Sequence, residues 1–183
     1  MIHARLALMC VLAVAGPSAH AAVCRLAVEA DDVMQFRQKQ LVINQDCSDV
    51  EIKLTHVGHQ PAAVMGHNWV LVRTADIAAV TIAGQKAGRS LNFQQPGDKR
   101  IIAATGIVGG GESATVTFST ANLRAGESYT YFCSSPGHGL AMRGALLFGG
   151  ADAGHLTAAS GSKVAPRADG GRASPGAAAP DGT

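Results

Sequence analysis

The chain is 183 residues long and 47% hydrophobic, with 15 Lys and Arg against 13 Asp and Glu and a formal net charge of +2. Nearly balanced charge without basic clusters excludes the phosphate-neutralising surface that dominates nucleic-acid affinity, and it disfavours polyanions and charged membranes alike. The length allows one folded domain with a substantial buried core.

In chain order, the first segment is Met1-Ile2-His3-Ala4-Arg5, an apolar run from Leu6 to Ala15, then Gly16, Pro17 and the small-x-small triplet Ala19-His20-Ala21. This pattern predicts a secretory signal peptide over residues 1–21, cleaved after Ala21. Its apolar run is far shorter than the roughly 20 residues of a membrane span, so no membrane insertion is expected of the mature protein. Lipidation of Cys10 is disfavoured by the bulky Met9 before it and by the apolar run beyond it. Cys10 therefore leaves with the leader. Cys24, Cys47 and Cys133 remain, an odd number that leaves one thiol over after pairing in an oxidising compartment.

Val50, Ile52 and Leu54 alternate with Glu51, Lys53 and Thr55, and Ala114, Val116 and Phe118 alternate with Thr115, Thr117 and Ser119. Period two predicts strands with one buried face. Further strands are expected at 24–29, 41–44, 69–72, 100–103, 128–133 and 144–148, most of them separated by Gly- or Pro-containing turns. Many short strands in a domain of this size predict an all-β, antiparallel Greek-key β-sandwich. One segment departs from this pattern. Thr74 to Gly84 has a candidate Thr cap, Ile77 and Val80 at helical spacing and a closing Gly, and predicts one short helix outside the sandwich.

The folded domain is expected to span 22–149, where eleven Lys and Arg face ten Asp and Glu. Residues 150–183 are Ala, Gly, Ser and Pro with isolated charges, and cannot bury enough apolar area to offset ordering entropy. They are expected to form a disordered tail in which His155 is solvated.

The chemistry concentrates in Cys133-Ser134-Ser135-Pro136-Gly137-His138-Gly139-Leu140-Ala141-Met142. This run puts a thiolate, an imidazole and a thioether on one short loop with a tight Pro-Gly turn. These are soft and borderline ligands suited to copper. A fourth ligand is expected at His67, within Val64-Met65-Gly66-His67-Asn68-Trp69-Val70-Leu71. Two His and one Cys with a weak, long axial Met form the blue-copper electron-transfer arrangement. Taken singly, each of these side chains has a plainer reading: an inert buried thiol for Cys133, a solvated loop residue for His138, a buried hydrogen-bonded imidazole for His67, ordinary core for Met142. The joint spacing of Cys133, His138 and Met142 argues against the plain readings of the loop residues, whereas for His67 taken alone the buried, hydrogen-bonded account would stand.

Through the C-x4-H-x3-M loop, the Met-Gly-His-Asn-Trp segment and the early Cys24 and Cys47, residues 22–149 resemble the cupredoxin family, most closely its azurin branch. Relatives of the plastocyanin type have a shorter stretch between Cys and loop His. The resemblance implies one type 1 copper per chain, held by His67, Cys133, His138 and Met142, with the Gly66 carbonyl as a distant axial contact. It also implies a Cys24–Cys47 disulfide that leaves Cys133 free, Asn68 tying the two ligand-bearing segments together, and a buried, pH-responsive His56 that does not bind copper. His59 has no counterpart and is expected to be exposed; Trp69 is expected in the core.

The implied function is a periplasmic, monomeric, mobile one-electron carrier, not an enzyme. Redox proteins would dock on an apolar surface around His138 formed by Met34, Val64, Met65, Pro136, Leu140 and Ala141. The chain departs from the family there: Ser135 replaces an aromatic residue, and Gln60 and Gln85 stand where apolar residues belong. A shifted potential and a more polar docking surface are expected. A copper enzyme would need a second metal cluster, which the five histidines His56, His59, His67, His138 and His155 cannot supply, and Cys133 is flanked by Phe132 and Ser134 rather than His. Copper storage or delivery is the other alternative, but it favours exposed, adaptable ligands over a constrained loop. Ser134 and Ser135 lie too close to His138 in sequence for a nucleophile and base, and Gly109-Gly110-Gly111 lacks the Lys and helix of a phosphate loop.

Overall fold

The computed structural model describes residues 22–149. The leader, the tail and His155 lie outside the described residues. Eight strands form: β1 (Ala22–Ala30), β2 (Gln40–Ile43), β3 (Cys47–His56), β4 (Val70–Arg73), β5 (Ile101–Ala104), β6 (Ser113–Ser119), β7 (Tyr129–Phe132) and β8 (Arg143–Phe148). Each overlaps a strand expected from sequence. They build two sheets, ordered β1-β3-β6 and β2-β8-β7-β4-β5, as in a Greek-key sandwich.

One expectation needs correction. The sheets are mixed rather than antiparallel, since β1 pairs parallel with β3 and β2 parallel with β8. Side-chain alternation fixes which face of a strand is buried but not the direction of its neighbour. Between β1 and β3 the chain passes through β2 of the other sheet, and β2 and β8 are far apart in sequence, so neither pair is joined by a hairpin that would force antiparallel pairing.

The alternation itself builds the core. Along β3, Val50, Ile52, Leu54 and His56 all point inward with no exposure, opposite Phe118, Val116 and Ala114 of β6 for the first three. The inward row thus carries an imidazole, His56, to its end. Trp69 lies fully buried between the two sheets, stacked on Tyr131 and Phe118 at centroid separations of 5.7 and 6.3 Å. Cys24 and Cys47 form a disulfide across β1 and β3, closing a 23-residue separation. Under the chain-entropy model such a closure contributes roughly 3 kcal/mol.

Outside the sandwich lies a helix, α2 (Ile77–Ala87), entered through a 3-10 turn at Thr74–Asp76. Its Val80 packs with Val70, Val72 and Phe132 in a second small core. Its ends differ from those expected. Thr74 does not cap it, because its hydroxyl is engaged with Thr130 at 2.9 Å. The helix also runs through Gly84 to Gly88, whose φ of 78° suits a terminating glycine. Gly84 is small for another reason: a Cβ there would collide with the Phe93 carbonyl oxygen. A single helical turn, α1 (Ala62–Met65), precedes the His67 segment, with the Val64 and Met65 N–H groups donating to the Pro61 carbonyl at 2.9 and 3.0 Å.

Candidate metal centre

Cys133 follows the last residue of β7 and is fully buried. Its N–H donates to the Met142 carbonyl at 3.0 Å, which closes the loop between them. Inside that loop the Ser135 carbonyl accepts from the His138 N–H at 3.1 Å across Pro136-Gly137, and Gly137 has φ of 83°. Pro followed by a positive-φ Gly gives a type II turn, so the sequence dictates the reversal that brings His138 back toward Cys133. Met142, also buried, donates its N–H to the His138 carbonyl at 2.9 Å. The loop is therefore tied at its start, middle and end.

His67 comes from the other stretch. Its backbone pairs both ways with Val108, at 3.0 and 2.8 Å, in an isolated bridge. Its Nε2–H donates to the Asp31 carbonyl at 2.9 Å, which fixes the tautomer and leaves Nδ1 a lone pair. That Nδ1 lies 3.2 Å from His138 Nδ1 and 4.0 Å from Cys133 Sγ, and His138 Nδ1 lies 3.6 Å from the same sulfur. The circle through three atoms at these separations has a radius of about 2.1 Å, close to the bond lengths by which imidazole nitrogen and thiolate hold a borderline metal ion. His67, Cys133 and His138 are thus brought together as the sequence predicts.

Burial sets the protonation state of each donor. Burial lowers the His67 pKa to about 4, with the nearby His56 and His138 adding to the effect and the Asp31 carbonyl opposing it. Burial also lowers that of His138. Both imidazoles are neutral near pH 7 and offer lone pairs. Burial raises the pKa of the Cys133 thiol, against the lowering effect of the Asn68 and Ser135 N–H groups and of the Ser135 hydroxyl. The metal-free thiol therefore keeps its proton, and a bound cation would displace it to give thiolate.

The ligand segments are cross-linked. Asn68 Oδ1 accepts from the Ser134 N–H at 2.8 Å, and its Nδ2 donates to Ser134 Oγ and to the Asn92 carbonyl, both at 2.8 Å. Asn68 thus ties the two segments as expected. Asn92 and Asp31 had not been picked out in the sequence. Asn92 sits at φ of 55°, a left-handed conformation Asn tolerates better than most residues. Asp31 acts through a backbone carbonyl, which no residue type advertises. Gly66 lies just before His67, and a Cβ there would strike the Ala62 carbonyl oxygen and the Ile107 side chain. Its carbonyl accepts from Ser135 Oγ at 2.9 Å.

Of the other histidines, His56 is buried with its ring 4.7 Å from that of His67, and its Nε2 lies 3.1 Å from Asp32 Oδ1 without the angles of an aligned hydrogen bond. His59 is exposed. Around the half-buried His138 lie the exposed Leu140, Pro136 and Ala141, and the expected docking residues Val64 and Met34 are exposed too. Gln60 and Gln85 are likewise exposed. A cleft of about 670 Å³ between α2 and the ligand loop, lined by Ile77, Ala78, Ile82 and Leu140, reaches down to Cys133 and Ser135.

Comparison with known proteins places this geometry. The family model for copper-binding proteins of the plastocyanin/azurin family matches residues 22–149. An azurin of Pseudomonas chlororaphis is 45% identical over 126 residues, covering 69% of this chain and 98% of its own length. Azurin iso-2 of Methylomonas sp. strain J is 44% identical over 125 residues, 68% of this chain and 97% of that protein. A solved structure of the azurin Az-iso2 from the obligate methylotroph Methylomonas sp. strain J superposes with a TM-score of 0.67 at 42% identity, covering 69% of this chain and 98% of that one. The Cys and two His, converging on one point at the end of a mixed sandwich, are those of a blue-copper protein, and the chain belongs to the plastocyanin/azurin family of copper-binding proteins.

Proposed function

We propose that this chain is a periplasmic, mobile one-electron carrier that holds one copper per chain and catalyses no reaction of its own. His67, Cys133 and His138 would be the equatorial ligands, Met142 the axial thioether and the Gly66 carbonyl a distant second axial contact. Bound copper would supply the redox chemistry by alternating between its two oxidation states.

The observation that carries the reading is the preset triangle of two Nδ1 atoms and one Sγ, with sides of 3.2, 3.6 and 4.0 Å. Before any metal arrives, His67 is fixed by its Nε2 hydrogen bond to Asp31 and the loop that carries Cys133 and His138 by its backbone hydrogen bonds. Donors that hold one compromise geometry need little rearrangement when an electron is gained or lost, and transfer is then fast. His138 is the half-buried ligand and offers the shortest path to the surface, through the apolar ring around it. A small apolar docking face permits brief encounters and turnover. Export is supported by the leader-like residues 1–21 and by the Cys24–Cys47 disulfide. Residues 22–149 are read as the functional domain.

Storage or delivery would demand ready loss of the ion, whereas Cys133 and His67 are fully buried. Metal analysis with voltammetry tests the carrier reading: one copper per chain, a reversible one-electron wave and slow loss to chelator support it. Several coppers per chain would indicate an enzyme, and loss within seconds would indicate a delivery protein.

A further inference from the structure

Ser135 is only 8% exposed within the ligand loop. Its hydroxyl donates to the carbonyl of Gly66, 69 residues away in sequence, at 2.9 Å. That carbonyl belongs to the peptide linking Gly66 to the ligand His67. The contact is therefore a second cross-link between the two ligand-bearing segments, beside the one Asn68 makes with Ser134. The two ties act on different groups: Asn68 engages the Ser134 N–H and hydroxyl, while Ser135 engages the Gly66 peptide oxygen.

We infer that Ser135 is a positioning residue that holds and weakens the Gly66 carbonyl as a donor to the metal, and so biases the site toward the reduced ion. The inference rests on the copper reading above. A carbonyl oxygen is a hard donor, and it favours copper(II) over the softer copper(I). A carbonyl already accepting a hydrogen bond donates less to a cation, so the preference for copper(II) falls.

Ser135→Ala removes the donor without adding bulk, and Ser135→Thr keeps it. In the Ala variant copper(II) should gain affinity relative to copper(I) by up to about tenfold, in keeping with the loss of one net hydrogen bond. For a one-electron couple that is a fall in reduction potential of up to about 59 mV. The Thr variant should stay near the parent value.

A second readout needs no copper. In metal-free mature protein with 13C-labelled carbonyls, the Gly66 carbonyl resonance should move upfield in Ser135→Ala and return in Ser135→Thr, with unfolding midpoints confirming that both variants fold. A fall in potential together with that shift, both restored by Thr, supports the inference. An unmoved Gly66 resonance overturns it, whatever the potential does, and so does an unchanged or higher potential once the resonance has moved. Failure of the parent protein to bind copper with thiolate colour would instead bring down the copper reading, while the metal-free carbonyl shift would still report whether the hydrogen bond exists.

Discussion

At the scale of single residues, the site divides into groups whose identity carries the chemistry and groups that only aim them. Cys133, His138 and Met142 were legible because they are local: a Pro-Gly turn of known type and hydrogen bonds within ten residues bring them together. His67 was legible only through resemblance, since the bridge to Val108 that holds it is long-range. Asp31 and Asn92 were not legible, because each acts through a backbone carbonyl whose partner lies 36 or 24 residues away. Met142→Gln puts a harder amide oxygen near the metal in place of sulfur. Copper should remain bound with a lower reduction potential, read by voltammetry, and an unchanged potential would remove Met142 from the ligand set. Asp32 makes a pH prediction. The His59 N–H, joined by that of Gln60 and by the nearby His56 ring, holds its carboxyl below the usual carboxylate value of 3.8, against partial burial. A folded-state pKa below the unfolded one gives stability that is complete above the unfolded value and lost as pH falls through the folded one. Metal-free protein should lose that part of its stability below about pH 3.8, and Asp32→Asn should flatten the decline in urea titrations. Parallel curves for the two proteins would remove Asp32 from the account.

At the scale of elements, alternation located β3 and β6, because a buried face every second residue survives any pairing, and short segments between Gly- and Pro-containing turns located the other six strands. Helix ends were less legible. Gly84 looks like a terminator in sequence, yet it sits mid-helix against the Phe93 carbonyl, and the actual terminator is Gly88 four residues on. Only the packing of residues 92–94 under α2 separates the two roles. Gly84→Ala would press a Cβ on a backbone oxygen that cannot rotate away. It should destabilise the fold by about 1–3 kcal/mol, the range for overpacking, whereas helix propensity alone would make it stabilising. Chemical denaturation decides between these opposite signs. The turn α1 was not anticipated either, since four residues carry too little periodicity to register.

At the scale of the whole molecule, the sandwich was foreseeable but its strand directions were not. The topology explains why the metal ligands lie where they do: the bridge after α1 and the loop between β7 and β8 meet at one end of the two sheets, beside the Asp31 segment that follows β1. The same end carries the apolar face with Leu140 at its most prominent, 81% exposed. Leu140→Lys leaves the donor atoms untouched and adds a charge that repels a second copy of the chain. Electron self-exchange should slow about tenfold or more at low salt, with partial recovery at high salt and no change in potential. An unchanged rate would move the docking face elsewhere.

The account depends most on Cys133, His67 and His138 gripping one copper ion together. The direct measurement is the visible absorption and paramagnetic resonance spectrum of mature protein loaded with copper(II). An intense blue thiolate-to-copper band with narrow hyperfine splitting, both abolished in Cys133→Ser, is the predicted result. A pale protein with the wide splitting of ordinary copper(II) would contradict it.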